Sequence, residues 1–319
     1  MDASRTLQAL RQQLVELRDC NTRLKSHAIP LPQAPGPQRE PSVVWGMAWG
    51  ALDGMVVEGC SNAAEVLPLL KKHGFEMVET GDFFDDAHVD LLRGHGLRIG
   101  AAKFEINRLE DIEPSFRRAR SINADYLRFK LLGPHHDFSL VDRFMVEIEK
   151  QRRIHAMPAF LETHRETATQ DLVRLVQILQ RRPTTQLTLD VSHMRVTGDW
   201  PDKPSPQNVE LLECVKNHVC SIHGRVSNCQ QIQCPLWPVH ERAVAVSVSI
   251  WADTIRRWKQ RMRTHTLTSA SGQSQCPQLP FIMELLSPLH IKGEDGRDVS
   301  DRWLESLELK RRCQKAVAA

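Results

Sequence analysis

A closed (β/α)8 barrel with an N-terminal helical extension is the fold class this sequence predicts. Three observations carry the prediction. From residue 43 onward, short apolar runs alternate with amphipathic helical stretches. Eight such strand–helix pairs can be counted, the number that closes a parallel sheet into a barrel. Four of the later apolar runs each stop on a carboxylate or an imidazole, at the strand ends where barrels of this kind keep their chemistry.

The chain has 319 residues, enough for one large α/β domain. Residues 1–27 carry Leu7, Leu10, Leu14, Leu17, Asn21 and Leu24 at alternating spacings of three and four, an amphipathic helix with a short heptad seam. Such a helix either packs on its own domain or pairs two chains as a homo-oligomer. Residues 28–42 hold Pro30, Pro32, Pro35, Pro37 and Pro41, which fix φ and disfavour helix, so this stretch is a linker. The barrel occupies residues 43–319.

Its strands are expected near residues 43–48, 76–80, 97–104, 126–132, 156–161, 186–191, 219–223 and 281–285. Helices follow each: Asn62–Lys72 up to Gly74, a helix from Asp85 to near Gly96, Ile112–Ile122, Leu140–Arg152, Gln170–Gln180, Asn208–Asn217, Val246–Arg263 and Arg302–Val317. Two connections exceed ordinary loop length: residues 227–242, and the Ser-, Thr- and Gln-rich insertion at 264–278.

Composition narrows the function. A formal net charge of +3, with Lys and Arg spread along the chain, makes nucleic acid an unlikely partner. No apolar run approaches the roughly 20 residues that span a bilayer. The eight cysteines form no CxxC pair. With no signal peptide, and with Glu16 and Asp19 against a transit peptide, they read as reduced thiols of a cytoplasmic protein.

The chemistry-bearing residues are Glu162 after Phe160-Leu161, Asp190 after Leu187-Thr188-Leu189, His223 after Ser221-Ile222, and Glu284 after Ile282-Met283. Three carboxylates and one imidazole suit one divalent cation of intermediate hardness: Mn2+, Mg2+, Co2+ or Zn2+. A cation would also offset the cost of gathering three carboxylates in a semi-buried site. His193, three residues beyond Asp190, is expected as a second metal ligand or a substrate donor. Arg225 is expected to hold an anionic or polyhydroxyl substrate. Glu79, Lys103, Arg128 and Lys130 stand near the ends of strands two to four and are expected to line the other half of the mouth.

The order Leu161-Glu162-Thr163-His164, Asp190-Val191-Ser192-His193 and Ile222-His223-Gly224-Arg225-Val226, closed by Glu284, resembles the xylose-isomerase-like TIM barrels, the sugar isomerase and epimerase superfamily. The resemblance covers roughly residues 43–290. It implies that Glu162, Asp190, His223 and Glu284 bind the metal. It also implies that Glu162 and Glu284 exchange a proton with the carbon of a sugar-like substrate, through an enediolate. The physical logic is that a dication lowers the pKa of a C–H beside a carbonyl while one carboxylate takes the proton and the other returns it. The chain departs from uncharacterised relatives in one place. They tend to carry Pro-Glu-Phe-Gly at strand eight, whereas Glu284 is followed here by Leu285 and Leu286.

Two other readings compete. A non-catalytic barrel kept as a binding or assembly module is compatible with the N-terminal helix and with that departure. An abasic-site endonuclease shares the barrel, but its three-zinc cluster needs more histidines and an Asp-x-His that residues 227–278 lack.

Overall fold

The computed structural model describes residues 40–82, 84–198, 200, 202–237, 240–264 and 278–319. The expected N-terminal helix, the linker up to residue 39 and residues 265–277 of the insertion lie outside them.

Eight parallel strands close on themselves in sequence order, β8 pairing with β1. They are β1 (Ser42–Ala48), β2 (Met77–Glu79), β3 (Arg98–Ile106), β4 (Leu127–Leu131), β5 (Ala159–Glu162), β6 (Leu187–Leu189), β7 (Val219–Gly224) and β8 (Gln278–Met283). The α-helices are α1 (Trp49–Leu52), α2 (Ala63–Lys72), α3 (Asp86–Gly94), α4 (Ile112–Ser121), α5 (Phe138–Ile154), α6 (Leu172–Arg181), α7 (Val191–Thr197), α8 (Pro206–Lys216), α9 (Glu241–Thr264) and α10 (Arg302–Ala318). The expected (β/α)8 barrel is therefore present. None of the described helices is long and apolar enough to cross a membrane.

Local chemistry sets where the helices start. Asn62, Asp85, Asp137, Asp171, Ser205 and Asp301 each accept a backbone N–H of the first turn. These short polar side chains satisfy donors that the helix itself leaves unpaired. Periodicity does not predict two short helices, α1 and α7. Four and seven residues are too few to show a 3.6-residue repeat. The start of α7 has a local cause: the Asp190 carboxylate accepts Ser192 N–H at 2.9 Å and Ser192 Oγ–H at 2.6 Å.

The barrel lumen is polar at its C-terminal end. Glu79 of β2 reaches Arg128 of β4 and His223 of β7, contacts that only the lumen allows. Beneath them, the Tyr126 hydroxyl donates to Glu79 at 2.8 Å, and the Tyr126 ring stacks on Phe160. Gly100 makes room for that tyrosine, since a Cβ there would stand 2.4 Å from the hydroxyl oxygen.

The long β7–α9 connection is tied down on its inner side. Gln233, buried, accepts Leu286 N–H and donates to the Leu286 carbonyl. Leu285 is fully buried. The two leucines after Glu284 thus pack and pin the mouth loops. Helix α10 clamps the same loops and the ends of α1 and α2. Buried Arg302 donates to the carbonyls of Ala51, Leu285 and Asp53, and Lys310 donates to those of His73 and Gly74.

Candidate metal centre

Glu162 is the last residue of β5, Asp190 follows β6, His223 lies in β7 and Glu284 follows β8. One donor atom from each of the four lies within 4.8 Å of the others. Glu162, Asp190 and His223 are at most 1% exposed, and Glu284 is 9% exposed at the rim. Parallel register explains the convergence. Glu162 is the register partner of Thr188, two residues before Asp190, and His223 that of Ile282, two before Glu284, so the stagger of the tilted strands brings these ends together.

Cations already share this layer. Arg128 donates to Glu79 at 2.9 Å and to Glu162 Oε2 at 2.7 Å. Arg225 Nη2 lies 2.8 Å from Asp190 Oδ2 and 2.8 Å from Glu284 Oε2. Burial alone would raise the Glu162 carboxyl, but Arg128 and His223 hold it well below the usual carboxylate range. Arg225 and His223 do the same for Glu284, against its burial. His223 is the converse case. Burial would lower its pKa, yet Glu284 and Glu79 raise it well above the ordinary imidazole value.

The donor set fits a dication on two counts. First, His223 Nε2 stands 3.1 Å from Glu79 Oε1, a carboxylate that fixes the ring and its tautomer. Its other nitrogen, Nδ1, is buried 3.5 Å from Glu162 Oε1 and 2.8 Å from Glu284 Oε2, out of line for a hydrogen bond to either. Second, the four carboxylates Glu79, Glu162, Asp190 and Glu284 face two guanidiniums, leaving two negative charges when His223 is neutral. A dication closes that balance without a proton on the imidazole.

The other residues expected at the mouth divide. His193, on α7, is buried, with Nε2 3.5 Å from Asp190 Oδ2 and 3.4 Å from Arg225 Nη2. Burial pushes its pKa down to about 3. His164 stacks against it, ring centroids 3.8 Å apart, and is also lowered, first by burial. Lys130 is half-buried and close enough for its charge to act on His164. Lys103 is not brought to the cluster. It faces the helical layer, pairs with Asp82 at 3.2 Å and lines a separate cavity of about 250 Å3 with Asp111 and Arg118. The physical reason is strand parity. Gly100 faces Tyr126 in the lumen, so Lys103, an odd number of residues further along, turns outward.

Sequence reasoning gave His164 no role. Its signal was the two-residue spacing from Glu162, which puts both side chains on one side of an extended segment.

No protein-family model and no curated protein matches this sequence. Solved structures do match. A protein of Sinorhizobium meliloti 1021 superposes with a TM-score of 0.51 at 14% identity, over 82% of this chain and 98% of that one. A xylose isomerase-like TIM barrel protein of Mycobacterium smegmatis, in complex with magnesium, gives a TM-score of 0.50 at 14% identity, over 87% and 98%. A Thermus thermophilus protein soaked with ZnCl2 gives 0.48 at 14% identity, over 85% and 98%. At such identities the likeness of the first two speaks for architecture, and together with the closed eight-stranded topology it gives this chain the fold of the xylose isomerase-like TIM barrels.

Proposed function

We propose that this protein is a divalent-cation-dependent isomerase or epimerase of a sugar or sugar-like polyol. The observation that carries the reading is the convergence of Glu162, Asp190, His223 and Glu284 from four successive strands, with two negative charges left over when His223 is neutral. The cation would be held by those four residues and would supply electrophilic polarisation of a bound carbonyl and hydroxyl.

The chain's own groups would do the rest. Glu162 Oε1 is not taken up by Arg128, which binds Oε2, and Arg225 likewise binds only Oε2 of Glu284. Each glutamate therefore keeps an oxygen for proton transfer, and the two flank His223 from different strands. Both carboxyls are ionised at neutral pH, the state a general base needs. Arg225 and His193 stand beside Asp190 where they would donate to substrate hydroxyls, and Lys130 would line the same mouth.

Solvent-deuterium incorporation at the carbon beside the carbonyl of ketohexoses tests the reaction, with the Mn2+-loaded protein beside Glu162→Gln and Glu284→Gln. Incorporation by the wild type, lost in both variants, supports it. Absence of any bound dication after incubation with Mn2+, Co2+ and Zn2+ would sink it. A second reading, a non-catalytic binding barrel, draws on Arg225, whose guanidinium bridges Asp190 and Glu284 much as a cation would. It expects no stoichiometric metal.

A further inference from the structure

Glu284 stands where the sheet runs out. Glu162 and His223 lie within their strands, and Asp190 donates its N–H to Thr163 Oγ at 2.8 Å. Glu284 follows the last residue of β8, and the β7–β8 register ends at Gly224 and Met283. Its own N–H reaches the Gly224 carbonyl at 3.3 Å.

Past that point the Gln233 side chain takes the place of a neighbouring strand. Its Oε1 accepts Leu286 N–H at 2.8 Å, and its Nε2 donates to the Leu286 carbonyl at 3.0 Å. A carboxamide carries the same donor and acceptor as a peptide group, so it continues a ladder where no backbone is at hand. Gln233 is held in turn by the chain, because Cys234 N–H donates to the Val226 carbonyl at 3.0 Å, just after Arg225.

The amide is also oriented from behind. Gln233 Nε2 stands 3.1 Å from His290 Nδ1. An amide NH2 only donates, so Nδ1 is the bare nitrogen of a neutral ring and Nε2 carries the proton. That Nε2 donates to Ser300 Oγ at 2.8 Å, and the Ser300 hydroxyl donates to Glu305 Oε1 at 2.7 Å. Each donor from Gln233 to Ser300 thus meets an acceptor in one direction. Gln233 is 1% exposed and His290 4%, so water does not compete for these bonds. Burial also disfavours a second proton on the ring, against the pull of Asp298 and with the help of Arg302 and Lys292.

We propose that Gln233 is a positioning residue for Glu284, acting through Leu286 and oriented by His290 in its Nε2–H tautomer. The inference rests on the reading of Glu284 as a metal ligand. Residues behind a ligand that fix its direction typically govern metal affinity as well as geometry.

The test is the Mn2+ affinity of the metal-free full chain, read by electron paramagnetic resonance of the free ion. Wild type, Gln233→Leu, His290→Leu and His290→Asn are compared, each checked for folding by circular dichroism. Gln233→Leu strips both Leu286 groups of their partner. His290→Leu removes the acceptor behind the amide, whereas His290→Asn offers an amide oxygen in place of Nδ1. Affinity reduced about tenfold in Gln233→Leu and in His290→Leu, but restored in His290→Asn, supports the inference. Wild-type affinity in a folded Gln233→Leu overturns it and leaves the functional reading standing. Should Gln233→Leu not fold, the His290 pair decides: equal affinities in His290→Leu and His290→Asn overturn the inference, because the ring would then act by its volume alone. No bound Mn2+ in the wild type overturns the functional reading and the inference together.

Discussion

The barrel mouth and the α10 clamp both bury charge, and they use it differently. In the clamp, Arg302 meets three backbone carbonyls and Asp298, and Lys310 meets two more carbonyls. The arginine directs its charge to carbonyls at the end of α1 and just after β8 that would otherwise be unpaired, and its group is locally complete. In the mouth, Arg128 and Arg225 meet four carboxylates and leave negative charge over. A network that ends with surplus charge is costly unless something else completes it. The clamp is therefore closed on itself, whereas the mouth keeps surplus negative charge.

The sharpest way to break that contrast is Arg128→Met. It removes the only cation hydrogen-bonded to both Glu79 and Glu162 among the described residues, and breaking a buried pair in this way costs about 3–5 kcal/mol. The loss should be largest without metal. Urea denaturation in EDTA and in excess Mn2+ should show the variant regaining more stability from the cation than the wild type does. Equal gains would mean that the surplus charge does not govern metal binding. Arg302→Leu is the matched probe of the clamp. It leaves three carbonyls without their donor and should cost about 2–4 kcal/mol. No cation should return any of it.

A third probe uses the wild type itself. At a Mn2+ concentration of 100 Kd, binding to the native state alone contributes about 2.7 kcal/mol, a rise in Tm of about 5 °C for a domain of this size. Glu284→Gln should lose most of that rise. A rise that survives in Glu284→Gln would place the cation elsewhere.

What was legible in the sequence follows from the same physics. Each strand is an apolar run bounded by turn residues, so the barrel count could be read directly, and the ends of β5 to β8 announced themselves by a polar residue after an apolar run. Lys103 misled because proximity to a strand end says nothing of parity. The β3–β4 register shift between Lys103 and Ile106 makes counting from the strand end unsafe. Helix α7, which carries His193, is too short for periodicity, although the Asp190-Val191-Ser192 cap was there to be read. The roles of Arg128 and Glu79 depend on contacts from β2 to β4 and β7 across the lumen, and no local pattern encodes these.

The smallest expected effect concerns a buried carboxylate in neither group. Glu305, on α10, is fully buried under the β7 and β8 loops. Its Oε1 accepts Leu236 N–H at 2.8 Å and Ser300 Oγ–H at 2.7 Å, while Oε2 has no hydrogen-bond partner and lies 3.9 Å from His290 Nε2. Asp298 and Asp301 stand near, and His290 is itself held neutral, first by burial. Burial therefore raises the Glu305 carboxyl, the opposite of Glu162 and Glu284, whose guanidinium partners outweigh burial. A carboxyl raised in the folded state contributes its stability below the unfolded pKa and loses it as pH rises through the folded one. As pH rises through that raised pKa, the wild type thus comes to bear the cost of an ionised, half-satisfied carboxylate. Glu305→Gln keeps an oxygen for Leu236 and Ser300 and removes the charge. It should be as stable as the wild type at pH 7 or more so, by on the order of 1 kcal/mol. At pH 4 that advantage should vanish, because the wild-type carboxyl is then protonated as well. Urea midpoints at the two pH values measure this. A variant clearly less stable than the wild type at pH 7 would mean that the Glu305 charge has a partner of its own and belongs with the mouth rather than apart from it.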